Sequence, residues 1–170
     1  MLRLGTIAGI GAALAAAAGL GASAAAPKQL IPPAVQFEVR AVLGQLGAKR
    51  LEVAPTRLPA HYAFESYSVT GQPPGLDVSF ADQRHIKDPN KTHALEISFD
   101  SSFLKGALGT CGAKSRRTLR VGGTEIFVSG STVWRCLASG KGAPVRVAAT
   151  GKLGPQALAL LVAYARPLAG

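Results

Sequence analysis

The chain has 170 residues, with 19 Lys plus Arg against 9 Asp plus Glu, a formal charge of +10 and a mean hydropathy of +0.23. The length suits one domain, and an apolar share of 48% excludes intrinsic disorder, a collagen-like chain and a multi-spanning membrane protein. None of these figures names an activity.

The N-terminus reads as an export signal. Met1-Leu2-Arg3 is a short cationic start, residues 4–20 are an uncharged Ala/Gly/Leu/Ile run, and Gly21-Ala22-Ser23-Ala24-Ala25-Ala26 offers small residues in an A-x-A pattern. A signal peptide over residues 1–26 is expected, with cleavage after Ala24 or Ala26. An uncleaved membrane anchor is the alternative, although Ala and Gly contribute little transfer energy. The expected location is therefore the cell envelope or the medium. Cysteine usage agrees. Cys111 and Cys136 are the two cysteines, and in an exported domain such a pair forms one disulfide. Closing a loop of about 25 residues is worth about 3 kcal/mol in the chain-entropy model. No C-x-x-C and no nearby His pair points to redox or metal chemistry.

Residues 27–33 read as an extended, proline-rich linker, and residues 34–170 as a single domain. Helical spacing begins at Ala34 and runs to Ala48, with Val35, Val39, Val42 and Leu46 on one face and Leu43 widening it. Gly47 and Lys49-Arg50 are C-terminal signals. After Pro55 and Pro59 a run of strands follows. Tyr62 and Phe64 share one parity and Tyr67 and Val69 the other, which predicts a bulge near Glu65-Ser66. Gly71-Gln72-Pro73-Pro74-Gly75 is a turn. Leu76, Val78 and Phe80 alternate with polar residues, as do Leu95, Ile97 and Phe99, so both stretches read as half-buried strands. The segment between them, residues 81–93, reads as a polar loop.

Leu119 and Val121 belong to the next strand, turned by Gly122-Gly123. A hairpin about Ser129-Gly130-Ser131 joins residues 125–128 to residues 132–137, with Trp134 and Cys136 on one face. Val145, Val147 and Ala149 make a last strand. Gly154-Pro155 starts an apolar helix, with Leu158, Leu161, Val162 and Ala165 on one face and Leu160 and Tyr164 on a second. Arg166 would suit its C-terminal end and Pro167 would stop it. The predicted architecture is α+β: a mainly antiparallel, twisted sheet of about six to seven strands, with an N-terminal and a C-terminal helix packed on one face.

The segment Val53-Ala54-Pro55-Thr56-Arg57-Leu58-Pro59-Ala60-His61-Tyr62 resembles the P-x-x-LP-x-x-Y opening of small exported bacterial envelope domains of unknown function. Val121-Gly122-Gly123, Trp134 and the residues 158–165 follow in the matching order, so the resemblance spans residues 53–168. Such domains occur alone or attached to envelope signalling proteins. The resemblance implies the same fold and location and carries no catalytic residues.

Chemistry is sparse. Of the three histidines, His85 and His93 share a polar loop with Asp82 and Asp88, and His61 precedes a strand. A metal site built from His85, His93 and Asp88 would need rigid elements and supporting hydrogen bonds that this loop does not promise. There is no nucleophile elbow, no P-loop and no dinucleotide fingerprint. Asp77, Glu96 and Asp100 could share one face of the sheet, which keeps a small secreted hydrolase as an alternative. No catalytic residue, no cofactor and no metal is expected. Trp134, beside a cysteine, reads as packing against the disulfide.

Charge is unevenly spread. Residues 53–100 carry four basic and six acidic groups, whereas residues 105–152 carry nine basic groups against Glu125 alone. If Leu119 and Val121 face the core, Arg116 and Arg120 point outward together, and Lys114 extends the row. Arg117 has the buried parity and must lie at the open end of the strand or pair with an acid. Lys114, Arg116 and Arg120 are the candidate anion-binding residues. The expected protein is a non-catalytic binding or structural module of the bacterial envelope. Its partner would be an anionic polymer, a lipid headgroup or an envelope protein, and not nucleic acid. An accessory partner of an envelope signalling system is a further alternative.

Overall fold

Pro32 and Pro33 set the start of helix α1 (Pro33–Gln45), because a proline at the first helical position lacks only an N–H that no carbonyl would have received. In the computed structural model, residues 30–85, 87, 97–105, 107–138 and 143–168 are described. The expected signal peptide, Asp88, His93, Leu95 and Glu96 lie outside them.

Helix α1 ends in a six-residue cap. Gly47, at φ +66°, lets the Ala48 amide donate to the Leu43 carbonyl at 2.7 Å and the Gly47 amide to Gly44 at 3.2 Å. Val39 and Leu43 are fully buried and Val35 is half-buried. The expected face is corrected at its other members: Val42 and Leu46 are 38% and 40% exposed. The helix is turned toward Leu43, which leaves Val42 at the margin, and Leu46 is already the capping residue.

The main sheet has seven antiparallel strands: β2 (Tyr62–Gly71), β3 (Pro74–Asp82), β4 (Ile97–Phe103), β5 (Arg117–Val121), β6 (Thr124–Ser129), β7 (Thr132–Leu137) and β8 (Val145–Gly151). Their spatial order is β2-β3-β4-β8-β7-β6-β5. Two meanders therefore meet where β4 pairs with β8. The register slips between Phe64 and Ser66 opposite β3, which places the predicted bulge. Strand β3 runs two residues into the expected polar loop. Ala81 and Asp82 are buried there, because Asp82 pairs across to Tyr62 and takes the Arg84 guanidinium.

Alternation assigns the two faces. Leu76, Val78, Phe80, Ile97, Phe99, Ile126, Val128, Val133, Val147 and Ala149 fill one side with the apolar residues of both helices. Helix α2 (Pro155–Ala163) lies over β5 to β8 and buries Leu158, Leu161 and Val162, while Leu160 is 44% exposed. The C-terminal expectation is corrected. Arg166-Pro167 does not cap the helix but forms a short strand, β9, paired with β1 (Val53–Ala54) in a two-stranded sheet. Proline tolerates such an edge because it forfeits only one ladder donor.

Candidate functional site

The other face of the main sheet carries Asp77, Ser98, Asp100, Thr132, Trp134, Cys136, Arg146 and Thr118, which follows from the strand register. The apolar residues of α1 and α2 pack on the opposite, core face. The β6 to β8 end of the Trp134 face is covered instead by residues 104–105 and 107–116. The cover is stapled by Cys111–Cys136, with S–S 2.00 Å and Cα–Cα 6.1 Å. The Trp134 indole N–H donates to the Cys111 carbonyl at 2.8 Å. Phe127 lies beside the indole, with ring centroids 6.0 Å apart. Gly112 sits against the Phe127 ring so closely that a Cβ there would collide with it. Cys111, Trp134 and Ala148 thus form a small second core, separate from the main one.

Between this cover and the strands opens a cavity of about 690 Å³. Trp134, Cys111, Phe103, Leu104 and Ala113 supply its apolar surface, and Lys105, Lys114 and Arg146 its charge. No acid lines it among the described residues. The Arg146 guanidinium lies 5.3 Å from the centre of the Trp134 ring and 3.4 Å from an Asp100 carboxylate oxygen. Thr132 and Thr150 share a hydroxyl hydrogen bond of 2.9 Å at the strand side.

Beyond Arg146 the open face turns acidic. Asp77 and Asp100 are cross-strand partners, and the Ser98 hydroxyl donates to Asp77 at 2.8 Å. Burial pushes the Asp100 carboxyl above the usual carboxylate range. Arg146 draws it down, the Asp77 charge raises it further, and a Ser102 hydrogen bond lowers it. Like charges directly opposite on a sheet destabilise it, so Arg146 is the counter-charge that makes the pair tolerable.

Of the three residues marked by sequence, Lys114 lines the cavity, at the end of the Cys111 turn. Arg116 and Arg120 are exposed and are not among the lining residues; Arg120 lies across from Glu125 on the edge strand. Arg117 is exposed at the open end of its strand. Two cavity cations were not singled out. Arg146 was legible, since it alternates with buried Val145 and Val147, whereas Lys105 lies in a loop with no periodic signal. Arg135 is a different case. It shares the core face with Val133, is 9% exposed, and donates to the Ala165 carbonyl at 3.0 Å, with its Nε unpartnered. Burial lowers its pKa, and nearby Arg166 lowers it further. His61 is exposed, at φ +71°.

No family model matches the chain, and no curated protein matches it. Among solved structures, a chain of the Pseudomonas aeruginosa MucA/MucB complex is similar, with 15% identity and a TM-score of 0.45. The match covers 70% of this chain and 36% of that one, so this protein spans about a third of the length of the chain it matches. A likeness of that size carries no functional argument.

Proposed function

We propose that the protein is an exported, non-catalytic binding module of the bacterial cell envelope, holding an anionic group of an envelope polymer or surface in the open-face cavity. The supporting observation is the composition of that cavity: three cations, hydroxyls and an indole floor, with no acid in the lining. A ligand pocket of this kind is concave, mostly apolar and fixed by a few polar groups. Lys105 and Lys114 are exposed and Arg146 is half-buried, so their pull on an anion is long-range and weakens with salt. The Cys111–Cys136 staple fits an oxidising compartment.

Retention on phosphocellulose at rising salt tests the site. Lys105→Ser, Lys114→Ser and Arg146→Ser combined should elute at clearly lower salt than Lys49→Ser, Lys87→Ser and Lys152→Ser combined. The second set removes the same charge from exposed positions elsewhere. Equal elution of the two triple variants would mean that only net charge matters and would overturn the site.

A further inference from the structure

The two edges of the main sheet are built differently. Strand β2 is interrupted by the bulge between Phe64 and Ser66, and its Tyr67 hydroxyl donates to Glu38 of α1 at 2.8 Å. A bulge and a neighbouring helix blunt an edge against further pairing. Strand β5 also has a helix, α2, on its core face, and at its start the Arg116 N–H bonds the carbonyl of Val128, the partner of Arg117, but no register shift interrupts residues 117–121. Its five residues pair with β6 in one unbroken register, closed by a two-residue turn in which Gly122 and Gly123 take φ +54° and +78°. In such a hairpin the residues flanking the turn exchange both ladder bonds, and the exchange recurs at every second residue. Val121, Leu119 and Arg117 therefore bond to β6, and the backbone N–H and C=O groups of Thr118 and Arg120 point away from the sheet. Both residues are exposed.

The charge around that edge selects what could pair with it. Arg116, Arg117 and Arg120 are exposed, and among the described residues none forms an ion pair. A second copy pairing antiparallel through β5 would bring two such rows of arginine together, and a basic strand would be repelled likewise. On the face that Arg117 shares by alternation, Leu119 and Val121 are only half-buried and pack at the margin of the main core. An added strand would thus meet Arg120 on the open face and Leu119 and Val121, with Arg117 at their end, on the other, at alternate residues, with Arg116 just beyond the strand's start.

We propose that β5 is a docking edge for an extended acidic segment of a partner protein, added as an eighth strand with acids and apolar residues alternating. Main-chain bonds from Thr118 and Arg120 hold the segment, and Arg116 and Arg120 select it by charge. The proposal stands on the sheet edge and is independent of the cavity.

The test uses the full protein and a blocked seven-residue peptide alternating glutamate and valine. Its controls are the lysine–valine counterpart and a glutamate–valine peptide methylated at alternate backbone nitrogens. The acidic peptide should bind saturably and slow amide exchange at Thr118 and Arg120. The lysine peptide and the methylated peptide should each bind at least tenfold more weakly. Arg116→Glu with Arg120→Glu should reverse the preference between the acidic and lysine peptides. Lys105→Ser, in the cavity, should leave peptide affinity unchanged, so failure of the cavity reading and of this one are separable. Equal binding of the methylated peptide, protection at the cavity instead of β5, or a concentration-dependent dimer protected at Thr118 would each overturn the proposal. The methylated-peptide comparison needs no variant to fold.

Discussion

Asp100 concentrates the electrostatic tension of the open face. Its carboxyl is raised chiefly by burial and also by Asp77, against the opposing pull of Arg146. A carboxyl raised in the folded state binds more protons there than in the unfolded chain. Its contribution to stability is therefore fully present below the unfolded value and is lost as pH rises through the folded one. Asp100→Asn should flatten the dependence of melting temperature on pH through the carboxylate range and hold the neutral-pH value at or above that of the parent. A variant with an unchanged pH profile would show that Arg146 already cancels the tension. Arg135 makes the same point from the other face. Its alternation with Trp134 puts it on the core side with Val133, although it is basic. Parity, not residue class, decides where a strand residue points.

At the scale of elements, local chemistry wrote most of the fold. Gly47 shows how directly. At φ +66° nothing lies within 4 Å of a would-be Cβ, so Gly47→Ala should cost only the backbone penalty of the left-handed region, about 1 kcal/mol. Chemical denaturation would read this as a lower midpoint at an unchanged slope. A loss of several kcal/mol would instead imply contacts the structure lacks. The bulge at Phe64/Ser66, the Gly122-Gly123 turn, the Trp134 hairpin and both proline-led helix starts were equally legible, because each rests on a short-range signal. What was not legible depends on contacts distant in sequence. The β1–β9 pairing joins residues more than a hundred positions apart, and no local pattern in Arg166-Pro167 announces a strand. The exposure of Val42 and Leu46 depends on how α1 is turned against the core, which periodicity cannot supply. The cavity is of the same kind: Lys105, Lys114 and Arg146 come from two loops and β8, and only the folded-over cover brings them together.

At the scale of the molecule, the sheet has one face closed by helices and one closed in part by a disulfide-stapled cover. Reduction of Cys111–Cys136 should lower the melting temperature by several degrees, since closing such a loop is worth about 3 kcal/mol. Because the staple anchors the cover, reduction should also weaken anion binding more than it weakens the main core. Reduced protein that keeps full binding would mean that Trp134 and Phe127 hold the cover alone. The chain has a single tryptophan, Trp134, and it lies on the cavity floor under Arg146. Trp134 also packs against Cys111, Ala148 and Phe127, so its emission reports on the cavity and the cover that closes it. The most direct measurement of the central claim is a titration of Trp134 fluorescence with inorganic pyrophosphate. A saturable change is expected at low salt, weakening as the Debye length shrinks from about 10 Å at 0.1 M to about 3 Å at 1 M, and lost in the variant lacking Lys105, Lys114 and Arg146. An indole signal that does not saturate, or that responds equally in that variant, would contradict an anion site in the cavity.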